Sequence, residues 1–252
     1  MQITIDSSWC WHMIEIINFN KIKLNRHTLK KHNKYFSKYY NDSFRREQGT
    51  EQIIDLLSSV KKINTWLDVG AGSTTLFWSL FLKNVKSISC AEVSPEPLKI
   101  LHDFAISKRI PVCYNDAMNR YKIESTYLAI MRKRIKQYFI FDALTYWPSQ
   151  LKRFDLITAI GLFGLAKSKK EYVACFKYPK KHLTRKGIFI GANWIRSSKY
   201  IKQYGGDNSY LCKNLVKIAA KKYSYTIISL KKITIKNDPF YDAVVLYGLQ
   251  NE

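Results

Sequence analysis

The sequence predicts an α/β fold, with a mostly parallel sheet, helices on both faces and an antiparallel hairpin at the carboxyl end. The first observation is an apolar run, residues 65–69, that leads into Gly70-Ala71-Gly72. This pattern is typical of a buried strand before a tight turn. Similar runs then alternate with helix-like stretches, which favours a parallel sheet. Finally, two strand-like runs flank Lys236-Asn237-Asp238-Pro239, which has strong turn chemistry.

The individual elements follow from local patterns. Residues 1–45 form a basic, aromatic-rich leader, and residues 48–62 have the apolar spacing of an amphipathic helix. Strand-like runs occupy residues 65–69, 87–93, 138–141, 155–160, 187–192, 225–233 and 242–249. Helix-like stretches occupy residues 74–82, 95–107, 122–135, 169–183 and 208–222. We therefore expect seven strands in one domain at residues 46–252, with residues 1–45 as a helical lid or cap.

Length and composition indicate a globular, cytoplasmic protein. The 252 residues can bury a sizeable core, and the hydrophobic fraction is 46%. Apolar runs are far shorter than the roughly 20 residues of a membrane span, and no basic start precedes an apolar core at the N-terminus. The cysteines are scattered, so we expect no disulfide framework and no metal site. They are Cys10, Cys90, Cys113, Cys175 and Cys212.

The net charge of +23 arises from 42 basic and 19 acidic residues. Such an excess raises attraction to nucleic acid and other acidic partners. The basic residues recur along the chain without one dominating block, which favours lysines that simply solvate the surface. A nucleic-acid partner is therefore conceivable but not favoured.

Acidic residues around the glycine turn indicate which nucleotide-like ligand it binds. Glu92 follows Gly72 by twenty residues, where a carboxylate can accept hydrogen bonds from ribose hydroxyls. Asp68 precedes the turn and would repel a pyrophosphate, but it suits the positively charged amino group of a methionine moiety. Thr75 stands where a dinucleotide motif has its third glycine. These features favour S-adenosylmethionine over NAD.

A third acidic residue, Asp142, ends the third strand-like run and could accept from an adenine amino group, with Ala143 offering backbone contacts. Asn115-Asp116-Ala117 is a rival for this place. We prefer Asp142 because the next strand opens at the usual short distance after it. Acidic residues at successive strand ends point to the edge where open α/β sheets bind ligands.

These motifs, together with residues 154–157 and 183–187, resemble the ordered motifs of class I S-adenosylmethionine-dependent methyltransferases over roughly residues 48–249. The resemblance implies a Rossmann-like, mostly parallel seven-stranded sheet, S-adenosylmethionine as cofactor and S-adenosylhomocysteine as product. The cofactor-binding positions that it implies are Tyr35, Tyr40, Asp68, Gly70, Ala71, Gly72, Thr75, Glu92, Val93, Asp142, Ala143 and Ile160.

Within that class the chain is most similar to the group of nicotinamide, phenylethanolamine and thioether (indolethylamine) N-methyltransferases. Tyr35-x-x-x-Tyr39-Tyr40 is similar to the N-terminal tyrosine motif of that group, and the long insertion at residues 115–141 matches its layout. So do residues 196–200. The acidic residue that the group carries just after the fifth strand has no equivalent in residues 191–194. The substrate class therefore stays open.

The resemblance implies methyl transfer to a nitrogen or another heteroatom of a small molecule, by direct in-line displacement. RNA, peptide or protein substrates are the alternative. Residues 159–163 lack the Asn- or Asp-Pro-Pro-aromatic motif of enzymes that methylate nucleic-acid amino groups. A binding module without catalysis is disfavoured by the intact glycine turn and its acidic partners.

Four residues are candidates for facing the acceptor: Tyr35, Asn193, Trp194 and Tyr204. Trp194 could stack on a flat ring or a cation, or could simply pack between strand and helix. Tyr35 and Tyr39 share one helix face, where core packing is the favoured interpretation and a lid over the ligand is the alternative. The accepting atom and the oligomeric state stay open.

Overall fold

A computed structural model describes residues 17–61 and 63–252 of the chain, without the side chain of Tyr39. Seven strands form one sheet. They are β1 Thr65–Val69, β2 Ser87–Glu92, β3 Ile135–Ile140, β4 Phe154–Ile160, β5 Leu183–Arg196, β6 Tyr225–Thr234 and β7 Tyr241–Asn251. Their order in the sheet is β3-β2-β1-β4-β5-β7-β6.

The central strands are parallel, and the last two are antiparallel to their neighbours. β1 lies between β2 and β4, and its residue Asp68 pairs with Cys90 on one side and Thr158 on the other. β7 runs antiparallel between β5 and β6. The predicted Rossmann-like sheet with its carboxyl-terminal hairpin is confirmed. Parallel strands end at one edge, so the residues that follow β1, β2, β3 and β4 lie near one another.

Ten α-helices lie among the described residues. They are α1 Arg26–Tyr40, α2 Thr50–Ser59, α3 Thr75–Ser79, α4 Pro95–Ile106, α5 Val112–Tyr121, α6 Ser125–Arg134, α7 Lys169–Cys175, α8 Lys177–His182, α9 Ser198–Tyr204 and α10 Lys213–Lys222. The predicted helix at 122–135 is wrong in its start, because Lys122 adopts φ 54° and ends α5. The predicted helix at 169–183 is two helices, α7 and α8. Pro179 has no backbone N–H, so it cannot donate to the Cys175 carbonyl four residues earlier, as a continuous helix would require.

Helices cover both faces of the sheet and divide the core in two. Helices α2 to α6 supply one cluster, which includes Leu57, Leu101 and Met131. Helices α7, α8 and α10 supply the other, which includes Tyr172 and Val216. Burying one such side chain contributes about 1.5–3 kcal/mol to the stability of the fold. The two clusters therefore hold the sheet between the two layers of helices.

The leader is anchored to the rest of the fold through α1. The Asn25 side chain caps α1 by accepting from the backbone N–H of Thr28, and the Asn25 backbone N–H donates to a Glu96 carboxylate oxygen at 2.7 Å. α1 therefore packs beside α4 rather than extending away from it. The first sixteen residues, including Cys10, lie outside the described part of the chain.

Residues 17–61 and 63–252 contain neither a membrane-spanning helix nor a metal-binding cluster. No helix there combines the length and apolar character needed to cross a membrane. No group of three or more histidine, cysteine or acidic residues is arranged to hold a metal ion in the same ranges. The described cysteines, Cys90, Cys113, Cys175 and Cys212, are free thiols.

Candidate functional site

The glycine turn joins β1 to α3 and needs two left-handed residues. Gly70 has φ 64° and Gly72 has φ 54°, a region that favours glycine. A Cβ on Gly70 would lie 2.8 Å from the Cβ of Leu162, so packing excludes any larger residue. A Cβ on Gly72 would meet nothing within 4 Å. Gly70 thus serves the packing, while Gly72 leaves open space beside the turn.

Asp68 is the buried centre of this turn. Its carboxylate accepts from the Thr75 hydroxyl at 2.7 Å and from the Thr158 hydroxyl at 2.5 Å, and the residue is only 2% exposed. Burial raises the pKa of Asp68 to about 7, although both hydroxyls oppose the shift. This arrangement corrects the expectation that the carboxylate meets a ligand amino group directly. Asp68 ties β1 to α3 and β4 instead.

Glu92 holds the turn from the end of β2. One carboxylate oxygen accepts from the Gly72 backbone N–H at 2.7 Å, and the other accepts from the N–H of Val93 at 3.1 Å. Burial raises the pKa of Glu92, while these two N–H groups lower it. The Val93 side chain is exposed. Glu92 and Gly72, twenty residues apart in the sequence, are therefore in direct contact.

Asp142 follows β3 at the same edge of the sheet. Its Oδ1 accepts from the backbone N–H of Leu144 at 2.9 Å, and Ala143 between them is buried. The rival residue Asp116 lies inside α5, where its carboxylate accepts from the backbone N–H of Phe44 at 3.3 Å. Of the two, only Asp142 follows a strand, because residues 112–121 are helical.

A cavity of about 600 Å³ opens beside the glycine turn. Its floor includes Gly70, Ala71 and Gly72. One wall comes from α1 and the residues after it, and another from the ends of β4 and β5. The remaining side comes from the turn before β7. Further lining residues from these segments are Tyr35, Tyr40, Phe44, Ile160, Gly161, Trp194, Arg196, Tyr200, Asp238 and Phe240.

The two leader tyrosines whose side chains are described have different surroundings. Tyr40 is 8% exposed, and its ring lies 5.0 Å from Phe36 and 5.6 Å from Tyr114, centroid to centroid. Tyr35 is 51% exposed and lines the cavity. Tyr40 is therefore a core residue, although one edge of its ring also lines the cavity. Only Tyr35 has the exposure expected of a lid residue.

The candidate acceptor residues do not all reach the cavity. Trp194 lines it, and its indole N–H donates to the Gln48 carbonyl at 3.3 Å. Asn193 is a correction. Its side chain is buried on the opposite face of β5, where its amide donates to the hydroxyls of Tyr172 and Tyr247. Successive strand residues point to opposite faces, so Asn193 and Trp194 cannot share one wall.

Tyr204 is also a correction. It ends α9 and is 60% exposed, and its hydroxyl accepts a hydrogen bond of 2.8 Å from the Gln203 amide. It is not among the residues that line the cavity. Tyr200, one turn earlier, does line the cavity, as does Arg196. Sequence reasoning missed both as contact residues. Alternation along β5 could have found Arg196, because it lies two residues beyond Trp194.

Comparisons with known proteins identify the fold. No family model matches the chain, and no curated protein matches it. The N-methyltransferase NodS of Bradyrhizobium japonicum, solved with S-adenosyl-L-homocysteine, is similar with a TM-score of 0.52 and 14% identity, over 80% of this chain and 84% of that one.

Two further solved structures agree. A SAM-dependent methyltransferase of Methanosarcina mazei gives a TM-score of 0.53 at 11% identity, over 79% of this chain and 96% of that one. The methyltransferase domain of bacterial CtHen1 gives 0.51 at 18% identity, over 81% and 98% of the two chains. Identities this low speak for the fold alone. The chain therefore has the Rossmann-like fold of class I methyltransferases.

Proposed function

We propose that the chain is an S-adenosylmethionine-dependent methyltransferase that methylates a nitrogen or another heteroatom of a small molecule. The observation that carries the proposal is the open space at Gly72, beside a cavity of about 600 Å³ at the carboxyl ends of β1 and β4. Ligand sites of this kind usually measure about 300–1,000 Å³. The cavity has room for a cofactor and part of an acceptor.

The residues around the turn fit this cofactor. The backbone of Gly70, Ala71 and Gly72 would lie under the methionine part, and Glu92 beside it would accept from ribose hydroxyls. Asp142 and Ala143 would meet the adenine. Side chains that would complete the proposed cofactor site are Tyr35, Tyr40, Val93 and Ile160, whereas Thr75 is fully buried and would act through its hydrogen bond to Asp68. Asp68 would contribute by holding Thr75 and Thr158 rather than by contact.

When bound, S-adenosylmethionine supplies a methyl group on a positively charged sulfur, which passes to an acceptor lone pair as the carbon–sulfur bond breaks and S-adenosylhomocysteine remains. The contribution of the chain is to hold the acceptor in line and to exclude water. Tyr35 from α1 and Trp194 from β5 are the side chains we propose for that task, because both line the cavity.

Two lining groups that could remove a proton are poorly suited to it. Burial and the nearby charge of Lys31 lower the pKa of His32. The carboxylate of Asp238 accepts from the backbone N–H groups of Phe240 and Tyr241 and from the Gln48 amide. We therefore favour an acceptor whose lone pair is available without prior loss of a proton, such as a pyridine-type nitrogen.

The narrower assignment, to the nicotinamide and phenylethanolamine group, is supported by the position of Tyr35 and by the inserted helices α5 and α6. The alternative is an RNA, peptide or protein acceptor, which the net charge of +23 suggests. A cavity of about 600 Å³ lies within the usual size range of small-molecule sites, which favours the small acceptor over these.

Calorimetric titration with S-adenosylhomocysteine tests the proposal. We expect saturable binding by the wild type, and a loss of about tenfold or more for Glu92→Gln, because ribose hydroxyls lose a charged acceptor. Asp55→Asn, on the exposed side of α2, is the matched control and should bind normally. No binding by the wild-type protein would contradict the proposal.

A second step identifies the acceptor class. The protein is incubated with methyl-labelled S-adenosylmethionine and a cell extract, which is then separated into small-molecule, peptide and RNA fractions. We expect label in the small-molecule fraction. Label confined to RNA or protein would favour the alternative.

A further inference from the structure

One part of the cavity lining comes from residues far from the glycine turn in the sequence. They are Trp194, Arg196, Tyr200 and the turn at residues 238–241. We call this part of the cavity the acceptor end. Trp194 and Arg196 are two residues apart on β5 and both line the cavity, although the pairing of β5 with β7 shifts register between Ile195 and Arg196. Ile195 between them packs into the core on the opposite face.

Trp194 presents a flat surface at this end. A Cβ built on Gly161 would lie 3.7 Å from the indole ring, so the ring lies against a residue without a side chain. The indole N–H is already bonded to the Gln48 carbonyl, which fixes the ring orientation. A ring fixed in this way suits stacking with another planar group.

Arg196 is held in place without a carboxylate partner. One guanidinium nitrogen donates to the Gly164 carbonyl at 3.0 Å, and the guanidinium carbon lies 5.7 Å from the Tyr200 ring centroid. The Asn208 amide bonds to both backbone polar groups of Arg196. In residues 17–61 and 63–252, no acidic side chain forms an ion pair with it. In the described part of the chain, one of its five donors bonds to a protein acceptor, and the other four are left for water or a ligand.

Most of the charged side chains among the described residues that line the cavity are cationic. Lys38, Arg45 and Arg196 are cationic, against the single carboxylate of Asp238. Three N–H groups already bond that carboxylate. Arg45 also lies 3.8 Å from Asp42 at the surface, so an anionic ligand would depend on Arg196. A half-buried guanidinium in a positive cavity favours a negatively charged group of a ligand.

We propose, building on the proposed function, that the methyl acceptor is a planar aromatic acid whose ring lies on Trp194 and whose carboxylate pairs with Arg196. The planar fork of arginine matches a carboxylate through two parallel hydrogen bonds. This arrangement selects acceptors by charge as well as by shape.

Matched acids and amides test the proposal. The probes are pyridine-3-carboxylate, quinoline-3-carboxylate and indole-3-acetate, each compared with its carboxamide. Dissociation constants are measured by calorimetry with S-adenosylhomocysteine at saturation. We expect at least one acid to bind about tenfold or more tightly than its amide, because a hydrogen-bonded charge pair is lost in the amide.

Variants assign the preference to one side chain. Arg196→Gln should weaken acid binding about tenfold or more and leave amide binding within about twofold. Arg196→Lys, which keeps the charge but loses the planar fork, should fall between them. Lys199→Gln, an exposed cation on α9, is the charge-matched control and should keep the wild-type preference. S-adenosylhomocysteine binding should be unchanged in all three variants.

The outcomes separate this inference from the proposed function. Failure of the wild type to bind S-adenosylhomocysteine contradicts the proposed function. Normal binding of S-adenosylhomocysteine, with every acid bound no better than its amide, overturns the aromatic-acid proposal alone. An equal loss of acid and amide binding in Arg196→Gln would assign Arg196 a structural role and also overturns it. The wild-type comparison of acid with amide requires no variant to fold.

Discussion

At the scale of single residues, the two turn glycines share a backbone conformation but not an environment. Both adopt positive φ, yet a Cβ would strike Leu162 at Gly70 and would meet nothing at Gly72. Packing alone therefore explains Gly70. Gly72 has no packing reason to lack a side chain, so the space above it is free for a ligand that approaches the backbone closely.

We expect Gly70→Ala and Gly72→Ala to separate stability from binding. Gly70→Ala should lower the free energy of unfolding by about 3 kcal/mol, from backbone strain plus overpacking. Gly72→Ala should cost about 1 kcal/mol but weaken S-adenosylhomocysteine binding about tenfold or more. Denaturant unfolding and calorimetry measure the two effects.

The control for this pair is Gly205→Ala. Gly205 also has positive φ and nothing within 4 Å of a built Cβ, and it lies outside the cavity lining. It should lose at least as much stability as Gly72→Ala, because φ 74° with ψ −176° is a conformation essentially restricted to glycine, but it should bind S-adenosylhomocysteine normally. Equal ligand affinity in the two variants would argue against a ligand at Gly72.

Asp68 gives a pH-dependent contribution to stability. Its pKa is about 7 in the folded protein against an ordinary value of 3.8. Between these values the unfolded chain has released a proton that the folded protein keeps, so rising pH favours unfolding. The stability advantage of wild type over Asp68→Asn should therefore shrink by about 2–3 kcal/mol from about pH 5 to about pH 8.

Chemical denaturation of both proteins at the two pH values provides the measurement. Subtracting the variant removes most contributions from other titrating groups, including Glu92. A difference that stays constant across this range would mean that Asp68 is ionised in the folded state throughout.

The sequence predicts the acidic residues well but not their contacts. Asp68, Glu92 and Asp142 follow local strand patterns, and all three lie near strand ends in the structure. That Asp68 bonds to Thr158 depends on which strand lies beside β1, which no local pattern encodes. The prediction that Asn193 faces the acceptor is wrong because β5 continues to Arg196. Residues 193 and 194 therefore lie in a strand, where neighbouring side chains point to opposite faces, rather than in a loop.

At the scale of elements, α1 has one side that packs in the core and another that lines the cavity. Its buried residue Tyr40 packs with Phe36, Phe77 and Tyr114, whereas Tyr35 is half exposed beside the cavity. Deleting the whole leader would remove both at once. Single substitutions are therefore the informative experiment.

We expect Tyr40→Ala to lower the free energy of unfolding by about 3–5 kcal/mol, because it leaves a cavity among aromatic rings. Tyr35→Ala should cost less than about 1 kcal/mol, since the side chain is largely exposed. If Tyr35 closes the site, its loss should slow methyl transfer while leaving the unfolding midpoint nearly unchanged. Lys34→Ala, an exposed neighbour on α1, is the control. Normal turnover by Tyr35→Ala would remove the lid role.

Element boundaries show where sequence reasoning is weakest. The strand β1 is predicted to the residue, because its apolar run ends sharply at a glycine. The boundary between helices α5 and α6 is not predicted, because the chain turns there at Lys122, a left-handed residue that is not glycine. Such a residue carries no compositional signal, and the packing of α5 on α1 and of α6 on α3 and α4 must offset its strain.

At the scale of the whole molecule, alternation of strands and helices is sufficient to predict the sheet, its parallel centre and its terminal hairpin. The same sequence does not predict the acceptor end. That region combines Gly161 after β4, Trp194 and Arg196 on β5, and the turn at 238–241, which lie far apart in the chain. Only the completed sheet brings them together.

The net charge of +23 permits a last prediction about the whole surface. If the lysines only solvate the protein, RNA binding should be independent of sequence and should weaken steeply with salt, because binding then reflects counterion release alone. Each phosphate contact should contribute a loss of about two- to threefold between about 50 and about 200 mM salt. Fluorescence anisotropy with two unrelated single-stranded RNAs measures this, and S-adenosylhomocysteine affinity over the same range is the internal control. The control should change little, since S-adenosylhomocysteine carries no phosphate and its binding releases few counterions. A complex that survives about 200 mM salt and discriminates between the RNAs would instead make RNA the acceptor to pursue.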